Sequence, residues 1–271
     1  MPRCWRCGVI GLLALAVTPM VGKIFTPSDA RSCSEAIHYD FVEVGTSDFN
    51  TLLQQTGPAA RGLSVDPMRV HLQSLPDRYL KTKVHAAIGE ASGVETFFYV
   101  DPADISSFKL PWWLKGCTMV GKPHPVTMSE LSKRGLERLM KNHTVQMVTL
   151  KGLLHSYCAR SVGYLKVDTE GFDTTIMHSF LEVLDQGLIA PPQQIRYESN
   201  WLDAARRSAV RDVNRHLVNK YGYRHSWTGP SGPDEPSDAS IRKWCTHAGE
   251  PQSTAEKHWH CGDQVFMLGP R

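Results

Sequence analysis

The chain has little charge of one sign: 30 Lys+Arg stand against 27 Asp+Glu, a net +3. No basic block interrupts that balance, so the electrostatic footprint of a nucleic-acid binder is missing and no nucleic-acid partner is expected. Seven cysteines in 271 residues are too few and too scattered for a disulfide-built scaffold. The 21 glycines and 17 prolines follow no strict period, which excludes a collagen-like chain. With 21% charged and 41% hydrophobic residues, the chain carries too much apolar material to stay disordered. What is there suffices for one domain of generous size, or two small ones, around a buried core.

The first residues read differently from the rest. Arg3 and Arg6 precede an uncharged run from Cys7 to Gly22, Lys23 closes it, and the first acid is Asp29. A basic start followed by a short apolar run is the layout of a secretory signal or signal-anchor. The run is marginal for a bilayer span, and Pro19 weakens its helix. Small residues at Ser28 and Ala30 suit cleavage after Ala30. Residues 1–30 are therefore expected to be a signal peptide or a membrane anchor through residues 7–22, with 31–271 a catalytic domain in the secretory lumen. A mitochondrial presequence is the alternative, but the run is too uniformly apolar for an Arg/Ser-rich amphipathic helix. One sequon, Asn142-His143-Thr144, agrees with a secretory route.

From Tyr39 onward short apolar runs alternate with helical patterns. Strands are predicted at Asp40–Val44, Gly62–Asp66, Lys83–Ile88, Val94–Val100, Val145–Leu150, Tyr164–Val167, Gln194–Glu198 and Gln264–Leu268. Helices are predicted at Asp48–Gln55 (capped by Asp48), Val70–Leu75, Thr174–Leu184 and Leu202–Tyr221. Such alternation implies an α/β fold, a mostly parallel sheet with helices on both faces. Two stretches, 101–125 and 229–260, break the rhythm and read as irregular insertions. The first carries four prolines and the pair Trp112-Trp113, and is expected to form a lid over an acceptor or a surface loop.

In such a sheet a ligand sits beyond the carboxyl ends of the strands, at the point where strand order reverses. Gly45 ends the first strand and lets the chain turn close to a ligand. Asp66 ends the second, 21 residues later, the place of an acid that accepts two hydrogen bonds from a ribose. A nucleoside site is thus indicated. The later glycines of a G-x-G-x-x-G loop are replaced by Ser47 and Asn50, so a cofactor without a pyrophosphate fits better.

The run Gly163-Tyr-Leu-Lys-Val-Asp168-Thr-Glu170-Gly171-Phe172-Asp173 resembles the "IDVEGFE" signature of FkbM-type S-adenosylmethionine-dependent methyltransferases. Phe41 to Asn50 is similar to that family's first motif, and Leu63-Ser-Val-Asp66-Pro67 to its ribose motif. Val84 to Gly89 resembles the segment beside the adenine, Val148-Thr-Leu150 the approach to the signature, and Tyr197-Glu198 a later strand end. The family's usual G-A-N-x-G is Gly45-Thr-Ser-Asp-Phe-Asn50 here, and Asn tolerates a left-handed backbone better than most residues. The resemblance implies a Rossmann-like, doubly wound, seven-stranded sheet, S-adenosyl-L-methionine as cofactor, and O-methylation of a hydroxyl-bearing acceptor. It further implies that Glu43, Gly45, Thr46, Ser47, Asn50, Asp66, Ala87 and Ile88 hold the cofactor.

Methyl transfer needs an in-line approach of nucleophile to methyl, and a hydroxyl acceptor gains from a nearby base. Asp168 is expected nearest the reaction centre, with Glu170 orienting the acceptor or capping the next helix. Glu198 is a third catalytic candidate or a solvated strand end, and His85 and His124 are further candidate bases. No resident metal is expected: Cys245, His247, His258, His260 and Cys261 match no common zinc spacing, though Cys245 and Cys261 could form a disulfide. The competing readings are a lumenal metal-dependent glycosyltransferase, with Asp168-Thr-Glu170 as a D-x-D-like pair, and a non-catalytic binding module.

Overall fold

The computed structural model describes residues 24–25, 35–47, 51–116, 118–200, 204–227 and 260–269. The protein is an α/β structure built on a mostly parallel sheet. In chain order the sheet's strands are β1 (Ile24–Phe25), β2 (Ile37–Val44), β3 (Gly62–Asp66), β4 (Lys81–His85), β9 (Ala159–Val167), β10 (Gln194–Asn200), β11 (Tyr223–Trp227) and β12 (His260–Leu268). They lie in the order β1-β4-β3-β2-β9-β10-β12-β11. All pairings from β1 to β10 are parallel, and β12 runs antiparallel to both β10 and β11. The two residues of β1 fall within the expected signal segment, yet they pair with Lys83 and Val84 at the sheet edge. The rest of residues 1–30 and nearly all of 229–260, including Cys245, His247 and His258, lie outside the described residues.

Strand alternation sorts the side chains onto two faces. Val42, Val44, Leu63, Val65, Leu165 and Val167 pack into the main core with α5 (Leu150–Ser156), α6 (Asp173–Asp185) and α7 (Ala204–Tyr221). On the opposite face, Phe41 packs with Leu52, Leu53, Leu72 and Leu75 from or beside α1 (Leu52–Gln55) and α2 (Arg69–Ser74). Both faces of β2 and β3 are thus covered at their carboxyl halves, where the buried polar residues Glu43, Ser64 and Asp66 share the second face with Phe41. Helix α1 is shorter than expected from Asp48–Gln55; its cap is Thr51, whose hydroxyl accepts from Gln54 N while the Gln54 side chain accepts from Thr51 N. Asp48, the expected cap, lies outside the described residues.

A second sheet, β5-β8-β6-β7, was not anticipated. Its strands are β5 (Ala87–Ile88), β6 (Gly93–Val100), β7 (Met119–Val120) and β8 (Met140–Val148). The single strand expected over Lys83–Ile88 is broken at Ala86, whose N–H donates to Asp66 O. Beyond that break the chain leaves β3 and pairs in parallel with β8. The 101–125 stretch is ordered rather than irregular. It contains α3 (Pro102–Ser107), a 3-10 turn (Trp112–Lys115) and β7, and leads into α4 (Pro125–Ser132). Its own small core joins Val100, Ile105, Leu110, Leu114, Leu131 and Leu139. No helix among the described residues is long and apolar enough to cross a membrane.

Candidate functional site

Strand register lines the polar residues of one face into two rows. Lys83, Ser64, Glu43, Lys166 and Arg196 are cross-strand neighbours in the lower row. One alternation further along, at the carboxyl ends, come His85 and Asp66, then Gly45, Asp168 and Glu198. Gly45, Asp66 and Asp168 of the upper row border a cleft, partly open to solvent, where strand order reverses between β2 and β9.

Gly45 makes the close approach possible. Its φ is +77°, and a Cβ there would sit 1.6 Å from Asp168 O, on a strand end tied down by the bond from Asp168 N to Val44 O at 2.9 Å. Beside it Asp66 is buried, with Oδ1 accepting from Met68 N at 2.6 Å and Oδ2 from Ser47 N at 2.7 Å. Both bonds orient the carboxylate, and each oxygen keeps a further lone pair. Gly45, Ser47, Asp66, Ala87 and Ile88 all line the cleft.

Two other expected cofactor residues are not brought to it. Glu43 lies in the lower row with no exposed surface; it accepts from Leu52 N at the start of α1 and pairs with Lys166 Nζ at 3.1 Å. Burial pushes its carboxyl up against the pull of Lys166. Burial also opposes the Lys166 charge, but Glu43 and Asp168 outweigh it and hold the ammonium above its ordinary range. Thr46 is buried with its hydroxyl donated to Val65 O. Asn50 lies outside the described residues.

The three expected catalytic carboxylates do converge. One oxygen from each of Asp168, Glu170 and Glu198 lies within 4.8 Å of the others, a spacing able to hold a cation through hard oxygen ligands. Glu198 is buried rather than a solvated strand end. Glu170 sits at φ +55°, a left-handed conformation that costs a non-glycine residue about 1–2 kcal/mol. Burial, then Glu198, Asp168 and Asp173, push its carboxyl well above the usual range. Helix α6 is not capped by Glu170. Asp173 instead binds the loop, accepting from Thr169 N at 2.8 Å and Gly171 N at 3.0 Å. Burial, then Glu198 and Asp168, drive the Asp173 carboxyl up as well. Lys166 Nζ stands 3.8 Å from Asp168, and His124 Nε2 4.0 Å from Glu170. His85 is turned to Pro67 O at 2.9 Å and does not line the cleft.

The 101–125 stretch, expected as a lid over an acceptor or a surface loop, brings Gly116, Thr118, Met119 and Val120 to the cleft wall, while Trp112 is 64% exposed and Trp113 packs on the small core. Two further lining residues carried no sequence signal: His71 projects from α2 and Phe97 comes from the second sheet. Only the tertiary approach of those elements reveals them, since nothing local marks these positions. No family model, curated protein or solved structure matches this chain.

Proposed function

We propose that the protein is an S-adenosyl-L-methionine-dependent methyltransferase of the FkbM type, acting on an acceptor hydroxyl. The observation that carries this reading is the cleft at the strand-order reversal, with Gly45 pressed on the Asp168 carbonyl and Asp66 fixed at its rim. The strand order β4-β3-β2-β9-β10 within the sheet, with helices on both faces, supports a doubly wound, Rossmann-like arrangement. In this reading Asp66 accepts from the ribose hydroxyls, and Ala87, Ile88, Phe97 and Val120 give a flat ring an apolar slot. The cofactor supplies an electrophilic methyl group. Asp168, Glu170 and Glu198 face the same space, where a carboxylate of raised pKa accepts the proton of an acceptor hydroxyl near neutral pH. A disulfide at Cys158 and the exposed sequon residue Asn142 on β8 fit a secretory, lumenal setting, soluble or anchored through residues 7–22.

Calorimetric titration of the full chain with S-adenosylmethionine tests this. Micromolar binding, lost in a folded Asp66→Asn variant, is expected; a folded wild-type protein that binds none would refute it. The carboxylate triad favours one second reading, a cation-dependent glycosyltransferase. Binding of a nucleotide sugar only with Mn²⁺, abolished in Asp168→Asn, would replace the first proposal.

A further inference from the structure

Histidine 71 is out of place as a core residue. It lies on α2 with 3% of its surface exposed, lines the cleft, and finds no hydrogen-bond partner for either ring nitrogen among the described residues. Its Nδ1 is 3.4 Å from Asp66 Oδ1 but off the line of a hydrogen bond. Buried polar atoms in folded proteins are nearly always paired. A leucine would occupy this position without leaving two nitrogens unmatched, so the imidazole calls for a partner that arrives from the cleft.

The neighbouring Asp66 identifies that partner's chemistry. Each of its oxygens already accepts one short backbone bond, from Met68 N and Ser47 N. What remains is one accepting site per oxygen, a match for two adjacent hydroxyl donors. A hydroxyl donating to Oδ1 would stand within reach of the His71 ring, and its own lone pair is then open to a ring N–H.

We infer that His71 is a cofactor-binding residue, paired with Asp66 to grip the vicinal hydroxyls of a ribose. This rests on the nucleoside reading of the cleft. It adds a donor to the acceptor that Asp66 provides, so that one sugar hydroxyl is held from both sides. Recognition then favours ribose over deoxyribose, because a missing hydroxyl leaves the buried ring unmatched again.

The test is binding of S-adenosylhomocysteine, and of its 2′-deoxy and 3′-deoxy analogues, to the full wild-type chain and to His71→Leu and His71→Gln. Leu fills the volume without a donor, and Gln restores one. Thermal unfolding checks that each variant folds. His71→Leu is expected to lose about tenfold in affinity for S-adenosylhomocysteine, to lose nothing for one of the deoxy analogues, and to be partly rescued by Gln. Equal loss for all three ligands, or no loss at all, overturns the role of His71 while leaving the cofactor reading intact. A folded wild-type chain that binds none of the three overturns the cofactor reading, and this inference with it.

Discussion

Gly45→Ala tests the crossing of β2 and β9 that shapes the cleft. A methyl carbon needs about 3.5 Å from a non-bonded atom, but the new Cβ would lie 1.6 Å from Asp168 O and 2.6 Å from Asp168 C. Relief by rotation is blocked, since the residue sits at φ +77°, where any side chain costs about 1–2 kcal/mol. Relief by displacement breaks the strand ends apart: Gly45 N donates to Val65 O and Asp168 N to Val44 O, both at 2.9 Å. Overpacking of this kind costs a further 1–3 kcal/mol, about. The combined loss is about 4 kcal/mol, or roughly 10 °C in Tm for a chain of this size. Urea and thermal denaturation measure it, with Gly57→Ala as control, because a Cβ there meets nothing within 4 Å and should cost under about 0.5 kcal/mol. A Gly45→Ala protein as stable as the control would refute the close-approach argument, and with it the placement of Asp168 over the cleft floor.

Other perturbations follow from the same rows of side chains. Glu170 has a folded-state pKa raised by burial and by neighbouring carboxylates. The native state therefore holds its proton longer than the unfolded chain does, and stability falls as pH rises above the ordinary carboxylate range. Glu170→Gln is expected to melt higher than wild type at pH 7 and equally at pH 4; a pH-independent difference would contradict this. Breaking the buried Glu43–Lys166 pair by Glu43→Gln should cost about 3–5 kcal/mol in urea unfolding, largely recovered by adding Lys166→Met. Additive losses in that double variant would show that the pair is not coupled. For the secretory route, peptide mapping without reductant should recover Cys158 disulfide-linked. The secreted chain should also shift in mass on deglycosylation, unless Asn142 is changed to Gln; a free Cys158 thiol or no shift would count against a lumenal setting.

Much of the main sheet was legible because its strands carry local signals. Asp40–Val44, Gly62–Asp66 and Tyr164–Val167 are short apolar runs closed by Gly or Asp, and each became a central parallel strand. The same period-2 logic put Gly45, Asp66, Asp168 and Glu198 at strand ends, where parallel register aligned them. Glu43, one alternation below, entered as a cofactor residue only through the resemblance of Phe41 to Asn50 to a family motif, and it lies in the lower row, away from the cleft lining. Its role became clear only with its partners: Lys166 from the neighbouring strand and the N–H of Leu52.

The second sheet shows the opposite limit. Its strands pair across long sequence separations, Gly93 with Met147 and Ala87 with Met147, and nothing local encodes such partners. Ala86 reads as any small residue in a strand, yet its N–H makes the last bond to β3, at Asp66 O, and from Ala87 the chain pairs with β8 instead.

By itself, then, the sequence determined the central strands of the main sheet, which of them end in glycine or acid, and hence which carboxylates gather at one edge. Only the tertiary structure decided what faces them. Period and propensity are properties of neighbours in the chain, whereas the wall of Phe97 and Val120, the sulfur linkage at Cys158 and the buried ring of His71 beside Asp66 depend on segments that meet only after folding.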